Sequence, residues 1–283
     1  MSFLKLPKGL HPDFQFPNKK PAGQTQVDEG NSLARGLVSF GVFNEYQRNV
    51  TQDSVDAGNS FTLKNGAVWT TLGGEIAVET NWGSTGEDHV EADKALLSPT
   101  GDWTVNQRIY RRFGTVNNNF LGQYISGGSG RTYFRIESGS TTLFMFDGST
   151  GHTLTIPEVP VGKWFDIAVR RTGTLFDVFV NGVKADTGIT SSASIYQGVG
   201  TQYGGVEVAD SLRGAVSNQQ TYNRALSLDE IIALQRDNYA PLRPKAPLVY
   251  FVESAPATGP NTPINPSITS LLATSARLNW EQG

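Results

Sequence analysis

A chain of 283 residues with a formal charge of -3, 31 glycines and no cysteine can hold one large β domain with extensions, or two ordinary domains. The charge balance excludes broad attraction to nucleic acid or an anionic membrane, and the missing cysteines exclude disulfides, thiolate metal sites and thiol nucleophiles. Charged residues make up only 17%, while Gly and Ser/Thr/Asn clusters recur about every ten residues, the turn spacing of an all-β sandwich or barrel.

The chain opens with Pro7, Pro12, Pro17 and Pro21 set among Phe3, Leu4, Leu6, Leu10, Phe14 and Phe16. Proline keeps such a stretch out of a sheet interior, yet it is more apolar than disordered sequence. Residues 1–27 therefore read as an extended arm that docks on a partner. The opening lacks the apolar run of a secretory signal, and no stretch approaches the ~18 apolar residues of a membrane span. Assembly in the cytoplasm, away from membranes, is expected.

Residues 37–43, 66–69, 75–79 and 89–92 read as short strands. A firmer strand follows at 102–110, with Trp103, Val105 and Ile109 on one face and Thr104, Asn106 and Arg108 on the other. Strands at 120–126, 133–138, 143–146 and 152–156 continue the series, separated by glycine turns at 126–130 and 147–151. The clearest signal is VGKWFDIAVRRTGTLFDVFVNGVKADTG, residues 161–188. Phe165, Ile167 and Val169 alternate with Asp166, Ala168 and Arg170, and then Phe176, Val178 and Val180 alternate with Leu175, Asp177 and Phe179. A loop at 171–174 containing Gly173, and Asn181-Gly182 suited to a type I′ turn, make this an antiparallel meander of half-buried strands.

A late strand spans 212–222. One helix follows, with Ser227 and Glu230 as its capping box and Leu228, Ile231, Ile232 and Leu234 as its apolar stripe, ending near Asn238. Seven more prolines between Pro241 and Pro266, with Leu248, Val249, Tyr250, Phe251 and Val252 among them, make residues 241–266 a second docking arm.

The ordered set Gly101-Asp102-Trp103-Thr104-Val105, Val161-Gly162-Lys163-Trp164, Val180-Asn181-Gly182, Leu212-Arg213-Gly214 and Tyr222-Asn223-Arg224-Ala225-Leu226-Ser227 resembles laminin-G-like domains of the concanavalin A-like jelly-roll superfamily. The resemblance puts one domain at 28–240. It implies two curved antiparallel sheets face to face, with edge loops available for ligands. The flanks Asp28-Glu29-Gly30-Asn31-Ser32-Leu33-Ala34-Arg35-Gly36-Leu37-Val38 and Asn238-Tyr239-Ala240-Pro241-Leu242-Arg243-Pro244 look like those of laminin-G-like proteins of tailed bacteriophages. That second resemblance implies a virion component, with capsid or tail proteins and sister copies as partners of the arms. Residues 267–283, with Ile268, Leu271, Leu278 and Trp280, resemble the first two strands of a fibronectin type III domain. Two strands alone are marginal in water, so this stretch calls for a partner or a continuation.

Glycoside hydrolases of the superfamily set three acids on alternate positions of one strand, where two serve as nucleophile and general acid. Glu91-Ala92-Asp93-Lys94-Ala95 has alanine at the third position. His11, His89 and His152 form no recognisable triad, and residues 127–132 lack the lysine and following helix of a phosphate loop. Binding residues are better candidates. Trp82, in Asn81-Trp82-Gly83-Ser84, could stack on a sugar ring or seat in a protein pocket. Asp88, Asp147 and Asp210 fall at strand ends, where they could ligate calcium, as in some laminin-G-like domains, or close turns through their own side chains. Arg108, Arg111 and Arg112 could meet an acidic partner or form a solvated strand face.

The expectation is a non-enzymatic structural protein on a virion surface, a capsid decoration or head fibre assembled in the host cytoplasm. Apart from calcium, no cofactor is expected. The alternatives are a tail adhesin that binds a host-surface glycan and, third, a glycan hydrolase.

Overall fold

Apolar alternation and glycine turns fold this chain into two facing antiparallel sheets. The structure, a computed structural model, describes residues 25–44, 49–80, 82–83, 86–124, 130–196, 200–205 and 212–244. These belong to the first of two units, Met1–Lys245; the second, Ala246–Gly283, holds the fibronectin-like stretch and lies outside the described residues. The strands are β1 (Thr25–Val27), β2 (Leu37–Gly41), β3 (Val50–Gln52), β4 (Ser60–Lys64), β5 (Val68–Leu72), β6 (Glu75–Thr80), β7 (Trp82–Gly83), β8 (Gly86–Glu87), β9 (His89–Ala92), β10 (Trp103–Arg111), β11 (Asn118–Tyr124), β12 (Arg131–Ile136), β13 (Thr142–Phe146), β14 (Gly151–Thr155), β15 (Trp164–Thr172), β16 (Leu175–Val180), β17 (Val183–Lys184), β18 (Ile189–Thr190), β19 (Thr201–Tyr203), β20 (Gly214–Tyr222) and, after helix α1 (Leu228–Arg236), β21 (Leu242–Pro244).

A nine-stranded sheet runs β17-β16-β15-β10-β20-β6-β5, with β18 beside β16 and β2 beside β20; an eight-stranded sheet runs β14-β13-β12-β11-β19-β9-β4-β3. Side chains alternate across each sheet. Trp103, Val105, Ile109, Phe165, Ile167, Val169, Phe176 and Val178 of the larger sheet point inward against Phe134, Leu143, Met145, Val90 and Tyr203 of the smaller. Trp103 anchors this core edge-on to Phe134 (6.3 Å) and Phe176 (5.9 Å).

The outer face of the larger sheet is buried in part as well. Ala168, Phe179, Tyr222 and Phe40 form a second cluster with Ile231 and Leu234 of α1 and with Tyr239 and Leu242. This corrects the expectation of half-buried strands in the meander, since α1 covers the side that alternation assigns to solvent. Several polar groups caught beneath the helix bond to one another. Asn106 Nδ2 donates to Gln220 Oε1 and to Asn238 Oδ1 (3.0 Å each), and Gln235 Nε2 donates to Asn106 Oδ1 (3.0 Å). The type I′ turn is present, with φ +49° at Asn181 and +78° at Gly182, and the Gly182 N–H donates to Gln235 of the helix. The capping box also forms: Ser227 Oγ accepts from Glu230 N (3.2 Å), and Glu230 Oε2 accepts from Ser227 N (2.8 Å).

Several motif residues prove to be structural. A Cβ on Gly214 would sit 1.7 Å from the Tyr110 carbonyl oxygen, so only glycine fits there. Arg224 forks onto Glu230 (2.7 and 2.9 Å) and donates from Nε to the Arg35 carbonyl (2.7 Å), tying the amino-terminal flank to the helix start. The two flanks also meet as strands, with Thr25 opposite Pro244 and Val27 opposite Leu242, and Asn31 Nδ2 donates to the Ala240 carbonyl (2.7 Å). Strands β3 and β19 carry too few apolar residues to be read from periodicity, while β4 alternates over only five residues, with Phe61 and Leu63 buried. They are held by their neighbours in the sheet.

Candidate ligand-binding face

Helix α1 shields one sheet; the outer face of the other carries the residues suited to a ligand. Register places Thr62, Glu91, Gln202, Gly122, Tyr133 and Phe146 opposite one another in sequence across β4, β9, β19, β11, β12 and β13. Their chain neighbours Leu63, Val90, Tyr203, Leu121, Phe134 and Met145 point into the core, so this row lies on the other side of the sheet, where Gln202, Gly122 and Tyr133 are buried and Thr62, Glu91 and Phe146 are partly exposed. It has an acidic-amide end and an aromatic end, and no side chain stands between them at Gly122.

At the first end, Gln202 Nε2 lies 3.2 Å from Glu91 Oε2 and 3.0 Å from His89 Nε2, with His89 Nε2 3.3 Å from Glu91 Oε2. Lys64 Nζ approaches Glu91 Oε1 at 3.8 Å. The hydrogen bond with His89, helped by Gln202 and Lys64, outweighs burial and holds the Glu91 carboxyl below its usual range. It stays an ionised acceptor at neutral pH. At the other end, Tyr133 stacks on Phe146 (5.7 Å) and tilts against Phe144 (5.9 Å). Arg131 lies over Tyr133 and Phe146 (5.5 and 5.6 Å), and Arg135 lies over Phe144 (4.3 Å) while its Nε donates to Glu137 (2.8 Å). The result is a rigid aromatic and guanidinium ladder.

The candidates singled out from the sequence that the structure describes do not come together in this row. Trp82 lies not in an irregular loop but in the hairpin of β7 and β8, opposite Glu87, which leads into β9 and so to His89 and Glu91. Asp88 is buried, and its Oδ1 accepts from Gly66 N (2.8 Å). Asp147 Oδ1 accepts from Ser149 N, Ser149 Oγ and Thr150 N, and its Oδ2 from Ser191 Oγ (2.7 Å) and His152 Nε2 (2.8 Å). Burial pushes the Asp147 carboxyl up, but the bonds from Ser191, Thr150, His152 and Ser149 prevail and hold it far below the usual range. Its oxygens are committed to closing a turn. Asp210 lies outside the described residues. Among the described residues no three His, Cys, Asp or Glu side chains gather as a metal site.

The arginine group is not a uniformly solvated face, although Arg112 is exposed. Arg111 is fully buried, Arg112 pairs with Glu79 (2.7 Å), and Arg108 pairs with Glu75 (2.8 Å) and Asp166 (3.1 Å). Asp93, two residues beyond Glu91, takes a hydrogen bond from Ser60. Sequence reading passed over Gln202 and the ladder. The available signal was Arg131-x-Tyr133-x-Arg135 alternating with the apolar Phe134 and Ile136, which marks a strand with two different faces.

Known structures share this architecture. Domain 4 of AbnA, a family 43 extracellular arabinanase from Geobacillus stearothermophilus solved with arabinotriose, superposes with a TM-score of 0.55 at 16% identity, covering 71% of this chain and 98% of that one. Trypanosoma rangeli sialidase gives 0.52 at 14% identity, over 71% of this chain and 32% of the enzyme. A botulinum neurotoxin type C structure, whose cell entry depends on two ganglioside molecules, gives 0.54 at 11%, over 74% of this chain and 52% of that one. At these identities the likeness shows the fold alone. No curated protein sequence matches at a significant level. The sequence model of the concanavalin A-like lectin/glucanases superfamily, in its laminin-G-like form, matches residues 84–232, more than half of the chain and the greater part of both sheets, and the chain belongs to that superfamily.

Proposed function

We propose that this protein is a non-enzymatic glycan-binding module that contacts sugar through the partly exposed Glu91, Phe144 and Phe146 of the smaller sheet, held in place by the buried Gln202 and Tyr133 beside them. The observation that carries the reading is the smaller sheet's outer face, which no helix covers among the described residues and which sets fixed hydrogen-bonding groups beside an aromatic ladder. A pyranose ring has an apolar C–H face and a rim of hydroxyls, and this pairing matches both. A hydrolytic role is disfavoured because a glycosidase acid needs a raised pKa, while Glu91 is held low and Ala95 stands where a third acid would be.

A glycan array probed with the full chain tests this. Binding should fall about tenfold in Phe146→Ala and Glu91→Gln, the loss of one good stacking or charged contact, and Tyr133→Ala, which removes the ring that Phe144 and Phe146 pack on, should weaken it as well. Trp82→Ala reports whether the neighbouring hairpin contributes. Array binding that ignores Phe146 and Glu91 overturns the assignment. Release of reducing ends from a polysaccharide, abolished in Glu91→Gln, would convert the module into an enzyme.

The module is further proposed to sit on a tailed-bacteriophage particle, as a capsid decoration or head fibre or else as a tail adhesin, held by its two arms and by sister copies. The phage-like flanks at 28–38 and 238–244 support this, and so does the pairing of Thr25 with Pro244, which starts both arms side by side. The fibronectin-like stretch at 267–283 then extends the carboxyl arm toward a partner strand or a further domain. Peptide mass spectrometry of purified particles should find the protein, and deletion of residues 1–24 and 245–283 should prevent its incorporation. Particles that retain the truncated protein at full copy number rule out attachment by the arms.

A further inference from the structure

Away from α1, the outer face of the larger sheet carries a second aromatic and polar constellation. Tyr110 and Trp164 are register partners on β10 and β15, and their partly exposed rings meet edge to face at 5.4 Å. Trp164 Nε1 donates to the Leu72 carbonyl (2.9 Å), which fixes the indole. Beside it, the Arg108 guanidinium lies 5.9 Å from the Trp164 ring, forks onto Glu75 (2.8 and 2.9 Å) and reaches Asp166 Oδ2 (3.1 Å). Ser217 Oγ holds the other oxygen of Glu75 (2.9 Å). In the β5–β6 turn, a Cβ built on Gly74 would meet nothing within 4 Å, so the backbone there borders open space.

The charges decide what such a surface takes. Two carboxylates face one guanidinium, so the group is rich in acceptors and unfavourable to anions. Both partners of the Arg108–Glu75 fork are only 16% and 17% exposed, and their geometry is set before any ligand arrives. We propose that Trp164, Tyr110, Glu75 and Arg108 form a second saccharide subsite, for a neutral pyranose whose C–H face lies on the ring pair and whose adjacent hydroxyls bond the Glu75–Arg108 fork. It does not depend on the row on the smaller sheet. Two subsites on opposite faces would let one module bridge two glycan chains, raising avidity without new contacts.

Saturation-transfer NMR on the full chain tests the subsite, with the methyl glycosides of glucose, galactose and N-acetylglucosamine as probes and glucuronic acid as the charged control. At least one neutral glycoside should receive transfer, with affinity about tenfold weaker in Trp164→Leu and in Tyr110→Leu, as expected for loss of an aromatic contact. Tyr133→Ala should leave that transfer in place. Thermal melts establish folding, and if Trp164→Leu does not fold, Tyr110→Leu decides. The proposal is overturned by no transfer to any neutral probe, by preferred transfer to glucuronic acid, or by transfer that vanishes in Tyr133→Ala and survives in the folded ring variants.

Discussion

Asp166 should make this protein lose stability as pH rises from 4 to 7, against the usual trend for acidic side chains. It lies on β15, 4% exposed, between Arg108 and Asn238. Burial raises its pKa from 3.8 to about 6, against the pull of Arg108 and the Asn238 hydrogen bond, with the nearby Glu75 charge adding to the rise. Because the folded pKa exceeds the unfolded value, the contribution of Asp166 is complete below pH 3.8 and is lost as pH climbs through 6. A shift of about two units at 1.36 kcal/mol each corresponds to about 3 kcal/mol. Asp166→Asn keeps the size and an acceptor but cannot titrate. Urea unfolding of both proteins at pH 4, 5, 6 and 7 isolates the effect, since every other carboxylate is common to the pair. The variant should gain about 3 kcal/mol relative to the parent across that range. A constant gap, or a parent that gains on the variant as pH rises, would show that Arg108 outweighs burial and refute the reasoning.

Other substitutions probe how the sheets are held. Arg111 is fully buried, and its guanidinium donates to the carbonyls of Gly114, Val116 and Glu137 and to Ser140 Oγ, with no acid among these acceptors. Arg111→Met strands those carbonyls and should cost about 3 kcal/mol in urea unfolding, with Arg111→Lys recovering only a minor part because an ammonium cannot span the same fork. Ser227→Ala removes the helix cap and should lower stability by about 1 kcal/mol, read as an earlier urea midpoint with an unchanged slope. Gly214→Ala drives a Cβ into the Tyr110 carbonyl; near-ultraviolet circular dichroism should show loss of the native aromatic signal, as β10 and β20 must part.

The sandwich was legible where a strand is both long and cleanly alternating. The short strand His89–Ala92 and the helix start at Leu228 also fall where the residues alone put them, and Asn181-Gly182 takes the backbone angles that its composition demands. Legibility failed for strands whose stability comes from neighbours, such as Val50–Gln52 and Thr201–Tyr203. It failed also for Arg111, because arginine is almost never fully buried. The ligand-binding face was legible only in fragments. Glu91 and Gln202 touch although 111 positions apart, and Gly122 and Tyr133 join them through register alone. Single-strand periodicity can say that Glu91 opposes Val90 in direction; it cannot say which residue of which later strand will stand beside it.

A more general obstacle is that periodicity sorts residues into two faces without saying which face is covered. On β10 and β20 the polar Asn106 and Gln220 belong to the face that a reader would give to water, yet α1 and the turn after it lie over them and their amides become a buried network. On β12 and β13 the aromatic Tyr133, Phe144 and Phe146 would be assigned to the core, yet they stand on the outer face with arginines laid across them. Each inversion carries a cost that packing must offset, since buried amides need hydrogen-bond partners and the partly exposed Phe144 and Phe146 forgo full burial. The first is offset by docking the helix and, through Asn238 and Tyr239, the flank that runs on to β21. The second is offset by the guanidinium cover, which leaves Tyr133 buried and Phe144 and Phe146 only partly exposed.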